Sequence, residues 1–105
     1  MPAKWTLDNA LPIILAIDSI ARRCNFSLAL RGGVLLNGES ESDLDLCFLS
    51  EDDREFCSAE MVLEEIARGM PNQIHGYNAL SGGDKYPCTL IFLRDGRHID
   101  AHFWI

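Results

Sequence analysis

Asp43 and Asp45 stand one residue apart at the start of an apolar run containing Leu44, Leu46 and Phe48. In an extended strand, residues i and i+2 share a face. The two carboxylates therefore point one way, and Leu44, Leu46 and Phe48 point the other. Carboxylates held side by side repel each other unless a proton or a cation lies between them. A hard divalent cation such as Mg²⁺, or Mn²⁺, takes carboxylate oxygen and resolves the conflict. The stretch His98-Ile99-Asp100-Ala101-His102 has the same period. There His98, Asp100 and His102 share a face, and Ile99, Ala101 and Phe103 share the opposite one. A third carboxylate, Asp100, beside Asp43 and Asp45 makes a triad suited to two-metal phosphoryl chemistry, with Asp100 as a ligand or as the base. His98 and His102 with Asp100 form an alternative metal site, since imidazole suits zinc or manganese, or they simply flank the acid. Upstream, Gly32-Gly33 offers backbone N–H groups that no side chain obstructs, so phosphate oxygens can approach. Arg31 adjoins this turn and is positioned either for a phosphate contact or for a local ion pair.

The elements that must hold these residues follow from periodicity. Residues 1 to 9 read as a loosely held start. Ala10, Ile13, Ile14, Ile17, Ile20, Ala21 and Cys24 keep helical spacing. The spacing predicts a helix over 9–24, capped by Asn9, with Pro12 in its first turn. A short strand follows over 26–30, then a helical turn at 34–36 stopped by Asn37-Gly38, then a strand over 43–49. A second helix begins either at a capping box of Ser50 with Asp53 or at Ser58, and ends near Arg68, with Gly69 left-handed before Pro71. Gln73 to Leu80 is a weak edge strand, and Ser81-Gly82-Gly83-Asp84 a turn. Cys88 to Leu93 and Arg97 to Trp104 flank Asp95-Gly96, a two-residue hairpin signal. That register sets Phe92 opposite Ile99, Ile91 opposite Asp100 and Thr89 opposite His102. Trp104 reads as a cover for the core or for a partner surface. The expected architecture is α+β: one domain over 1–105, a mixed sheet, and helices packed mainly on one face.

Composition limits the function. The chain has 105 residues, 48% hydrophobic and 24% charged, with a net charge of −7. That is globular rather than disordered. The acidity disfavours sequence-independent nucleic-acid binding, which needs Lys and Arg against phosphate. No apolar run approaches bilayer length and no secretory leader is evident, so no membrane partner is expected and the location is read as cytoplasmic. Cys24, Cys47, Cys57 and Cys88 form no CxxC pair and read as reduced, mostly buried thiols.

The segment from Gly32 to Leu46 resembles the signature of the nucleotidyltransferase superfamily, the DNA polymerase β-like fold: a Gly-Gly or Gly-Ser turn, about ten residues, then Asp-apolar-Asp on a strand. The stretch from Pro87 to His102 is similar to the corresponding hairpin of lincosamide and aminoglycoside nucleotidyltransferases, and the size resembles minimal, antitoxin-type members. The resemblance implies transfer of a nucleoside monophosphate from an NTP such as ATP to a hydroxyl-type acceptor, with Mg²⁺ or Mn²⁺ and release of pyrophosphate. It implies Asp43, Asp45 and Asp100 as catalytic metal ligands. Gly32 and Gly33 would line the triphosphate, and Ser42 fits the common Ser-Asp-x-Asp form. Gly33 stands where many members carry serine. The acceptor is left open among a small molecule, a protein side chain and an RNA end. Two other readings stand beside it: a non-catalytic interaction protein on the same fold (an antitoxin-like partner or a phage or mobile-element inhibitor), and a homodimer that completes its acceptor site across the interface.

Overall fold

The computed structural model describes residues 4–40, 43–50, 58–83 and 86–104. Thr6, rather than Asn9, opens the first helix. Its hydroxyl accepts from the Asn9 N–H at 3.1 Å, and the Asn9 side chain accepts from the Thr6 N–H at 2.8 Å, a reciprocal capping box. The helix, α1, runs Leu7–Arg23 and buries Ala10, Ile13, Ile17, Ile20 and Ala21. The early start puts Pro12 inside the helix instead of in its first turn. The carbonyl that Pro12 leaves without a donor belongs to Asp8, an exposed residue that water can serve.

Strand β2 (Phe26–Arg31) leads into a short helix, α2 (Gly32–Asn37), which Gly38 ends in the left-handed conformation at φ 78°. Strand β4 covers Asp43–Ser50, and helix α3 covers Ala59–Gly69. Ser58 caps α3, its hydroxyl accepting from the Met61 N–H at 3.3 Å. The rival start falls largely on residues 51–57, Asp53 among them, outside the described residues. Gly69 is the last residue of α3 and is not left-handed. Its role is close approach: a Cβ there would lie 3.0 Å from Ile20 Cδ1 of α1.

Strands β5 (Ile74–Tyr77), β6 (Cys88–Leu93) and β7 (His98–Trp104) complete a five-stranded sheet in the order β2-β4-β7-β6-β5. β4 and β7 are parallel neighbours, and every other pairing is antiparallel. Helices α1 and α3 pack on one face, against Leu44, Leu46, Phe48, Ile91, Ile99, Ala101 and Phe103. Phe103 stacks on Phe48 at 4.5 Å and meets Phe26 edge-on at 5.8 Å. The expected α+β mixed sheet with helices on one face is the architecture observed. Cys24 and Cys47 are buried, Cys88 is half-buried, and Cys57 lies outside the described residues. Trp104 is half-exposed and leans on Tyr86 at 6.0 Å, so it does not cover the core. No described helix is long and apolar enough to cross a membrane.

The hairpin register differs from expectation by one residue. Ile91 pairs with Ile99, Leu90 with Asp100, and Phe92 with His98. The Leu93 N–H donates to the Arg97 carbonyl at 2.8 Å, which closes a three-residue loop with Gly96 at φ 94°. Such a loop with a left-handed glycine is the next favoured hairpin after the two-residue turn. The Asp95 carboxylate stabilises it by accepting from the Arg97 backbone N–H at 3.0 Å and side chain at 2.9 Å. Hydrophobic sorting decides the choice: the expected register would have opposed Ile91 to Asp100, whereas the observed one keeps Ile91 and Ile99 together in the core.

Residues 4–9 of the amino-terminal segment are also not loose, while residues 1–3 lie outside the described residues. Trp5 is fully buried, and its Nε1 donates to the His98 carbonyl at 2.9 Å. The Arg97 guanidinium lies 4.3 Å over its ring. Strand β1 (Trp5–Thr6) pairs with β3 (Glu39–Ser40), and Lys4 reaches Glu39 at 2.9 Å. The chain start therefore clamps the loop between the Gly-Gly turn and the aspartate pair. Trp5→Ala should cost about 3–5 kcal/mol in urea unfolding, the range for truncating a buried large aromatic. Trp5→Phe should recover most of that while still lacking the indole hydrogen bond.

Candidate functional site

The face of the sheet opposite α1 and α3 collects the charged residues. On β4, Asp43 and Asp45 are half-exposed while Leu44 and Leu46 are buried. On β7, His98, Asp100 and His102 are half-exposed while Ile99 and Ala101 are buried. Strand alternation does this on each strand, and register then aligns the strands. Asp45 is level with Arg31 of β2 on one side and with Asp100 of β7 on the other. Asp43 is level with His98, and Cys47 with His102.

Three donor groups converge: carboxylate oxygens of Asp45 and Asp100 and a ring nitrogen of His102 all lie within 4.8 Å of one another. His102 Nε2 is 3.2 Å from Asp100 Oδ1. Asp43 shares the face but stands outside this group, one step back along β4 beside His98. Arg31 is exposed and donates to the Cys47 sulfur at 3.5 Å, next to Asp45. A cavity of about 250 Å³ is lined by Arg31, Gly32, Asp45 and His102. A larger one, about 510 Å³, is bounded by Ser58, Glu60, Leu80 and Pro87 among others and gathers one carboxylate among the described residues. Converging charge, not volume, marks the smaller cavity as the candidate site. Ser42 lies outside the described residues.

The Asp45 carboxyl is pushed above its ordinary value. Burial is the main cause, followed by the neighbouring carboxylates of Asp43 and Asp100, while His102 and Arg31 oppose the shift. A group held this way is poised for a cation. Two carboxylates with an imidazole form a donor set that fits a divalent metal.

Gly32 shapes the site. It opens α2 at φ 75°, and a Cβ there would overlap Asp45 Oδ2 and stand 2.8 Å from Asp45 Cγ. Only glycine lets the turn sit against the carboxylate. Gly33 is different: its φ is not positive, and a Cβ there would be 3.4 Å from the Glu39 carbonyl and Ser40 Cβ, ordinary contact. The N–H groups that begin a helix have no partner within it and face outward from the turn.

Reasoning from sequence placed Asp43, Asp45, Asp100, Arg31, Gly32 and Gly33 around one region. The structure sets Arg31, Asp45 and Asp100 level with one another and Gly32 against Asp45, while Asp43 stands one step back along β4 and Gly33 follows Gly32 into α2. It weighed His102 only in company with His98, whereas the fold joins His102 alone to Asp45 and Asp100. It did not connect Cys47 to Arg31, although the Asp43, Asp45, Cys47 alternation carried that signal.

Neither protein-family models nor curated protein sequences match the chain. Solved structures do. A chain of a GLD-2/RNP-8 complex superposes with a TM-score of 0.62 at 17% identity, covering 92% of this chain and 40% of that one. The Cid1 poly(U) polymerase, with MgGTP bound, gives 0.61 at 16% identity, over 92% and 32%. A cytoplasmic RNA terminal U-transferase gives 0.57 at 16% identity, over 92% and 28%. The chain thus spans well under half the length of these neighbours, and what it shares with them is the nucleotidyltransferase fold.

Gly32→Ala should cost at least about 1–2 kcal/mol for the left-handed backbone alone. It should also displace Asp45, which metal titration of the refolded variant would register as lost affinity. Gly33→Ser should stay within about 0.5 kcal/mol of the parent. Because the folded state raises the Asp45 pKa, ionising Asp45 opposes folding. That cost is full above the raised value and vanishes as pH falls below the unfolded value of 3.8. Asp45→Asn should therefore raise Tm at pH 7 in metal-free buffer, with the gain shrinking on acidification in a calorimetric pH series.

Proposed function

We propose that the chain is a metal-dependent nucleotidyltransferase, moving a nucleoside monophosphate from an NTP to a hydroxyl-type acceptor with release of pyrophosphate. The observation that carries this reading is the level pairing of Asp45 with Asp100 across β4 and β7, against the Gly32 turn, on the sheet face that α1 and α3 leave uncovered.

Asp43, Asp45 and Asp100 are the residues that would hold the Mg²⁺ or Mn²⁺ ions. When bound, such ions neutralise the triphosphate and ease deprotonation of the attacking hydroxyl. The chain's own groups do the positioning. Backbone N–H groups of Gly32 and Gly33 receive phosphate oxygens, helped by Ser42 just before the aspartate pair. The Arg31 guanidinium, exposed at the rim of the same cavity, adds positive charge where phosphate must enter. Asp100 either completes the metal site or accepts the hydroxyl proton. Lys4 offsets one acidic residue, Glu39, of the loop beside the turn. Residues 1–105 are read as one domain that carries these groups. The acceptor is a hydroxyl on a small molecule, a protein side chain or an RNA end; a protein partner is supported by the likeness to a chain of the GLD-2/RNP-8 complex.

A second reading, a non-catalytic antitoxin-like interaction protein, is favoured by the net charge of −7, which suits a basic protein target. One assay separates the two. Incubation with each labelled NTP and Mg²⁺ or Mn²⁺, with candidate acceptors present, should give labelled product. Asp43→Asn with Asp45→Asn should reduce it by more than about 100-fold, beyond the usual cost of losing a group that merely supports a ligand. Circular dichroism should show the double variant folded. Equal labelling by parent and double variant would rule out the enzymatic reading, and absence of any metal-dependent NTP shift in Tm would favour the second.

A further inference from the structure

We propose that His102 is itself a ligand of the metal site, and that it makes this site prefer Mn²⁺ to Mg²⁺. The inference rests on the metal-dependent reading above and adds the residue that selects the ion.

Two ligand atoms at about 2.1 Å from one ion, at right angles, are about 3.0 Å apart. His102 Nε2 and Asp100 Oδ1 are 3.2 Å apart. A ring nitrogen of His102, with oxygens of Asp100 and Asp45, falls in a group no wider than 4.8 Å. Small side-chain rotations bring such donors onto one ion. The backbone already sets the arrangement: Asp100 is level with Asp45, and His102 follows two residues later on the same face. His102 also lines the cavity that Asp45 and Gly32 line. His98 shares the face but sits at the other end, level with Asp43 and outside the group.

Chemistry decides the preference. Mg²⁺ keeps to oxygen donors and gives up water reluctantly. Imidazole is a good donor to transition metals, so exchanging one oxygen ligand for nitrogen favours Mn²⁺. If His102 only oriented Asp100 by hydrogen bonding, nitrogen would not touch the ion and ion choice would follow the carboxylates.

Mn²⁺ alone, bound to the full chain, reports both points by electron paramagnetic resonance. Electron spin-echo modulation from ¹⁴N should appear in the parent and in His98→Gln and vanish in His102→Gln. Competition with Mg²⁺ should show the Mn²⁺ to Mg²⁺ affinity ratio falling about tenfold or more in His102→Asp, which restores an all-oxygen site. Circular dichroism confirms that each variant is folded. Mn²⁺ binding without ¹⁴N modulation, modulation that survives His102→Gln, or an unchanged ratio in His102→Asp would each overturn the inference. If either of the first two occurs while labelled nucleotide transfer proceeds, only the role of His102 falls. If neither ion binds the parent, the metal-dependent reading falls with it.

Discussion

Parallel pairing of β4 with β7 brings Asp45 and Asp100 level, and the mutual repulsion of these carboxylates is the constraint that the surrounding structure answers. The answer is built from the same strands. Each strand that carries a charge on one face carries an apolar residue next to it on the other. Leu44, Leu46, Phe48, Ile99, Ala101 and Phe103 are all fully buried. A buried large apolar side chain contributes about 1.5–3 kcal/mol. Two unit charges 4 Å apart cost about 1–4 kcal/mol between water-like and surface-like media. The helix-covered face therefore outweighs the strain of the open one, and the site is held by a core it does not touch.

Much of this was legible in the chain because the relevant signals are local. Period-two alternation at 43–48 and 98–103 assigned each side chain a face, and Gly32-Gly33 marked the turn. What the sequence concealed was relational. Nothing in the residues of β4 or β7 alone says that they are neighbours and parallel, which is what puts Asp100 beside Asp45. The hairpin turned on a competition between two favoured loop types, settled by which register joined Ile91 to Ile99. The role of Trp5 was hidden because its partners, His98 and Arg97, lie more than ninety residues along the chain. Gly69 resembled a helix stop by type, while its reason is the nearness of Ile20 in another helix.

The open face mixes signs more than an acidic chain suggests. Arg31 and His102 flank Asp45 and oppose the rise in its pKa. Lys4, brought in by the β1–β3 pairing, meets Glu39 on the loop that follows the glycine turn. Positive charge is scarce in this protein, and part of it is spent around one cavity. Small net effects at each pair are typical of exposed ion pairs. Arg31 and His102 line the cavity together with Asp45, so there positive charge partly offsets the carboxylate.

The three-residue loop between β6 and β7 also bears on how the gene can change. Successive side chains on a strand alternate sides, so the length of this loop acts as a parity counter for everything after it. Deleting or inserting one residue there, with β7 still pairing in place, would turn His98, Asp100 and His102 toward α1 and α3 and push Ile99, Ala101 and Phe103 into water. A change of two residues would preserve the sides. Beyond the demands that Gly96 and Asp95 meet in this tip, single-residue length changes are closed to descendant sequences unless a compensating bulge arises in the same strand.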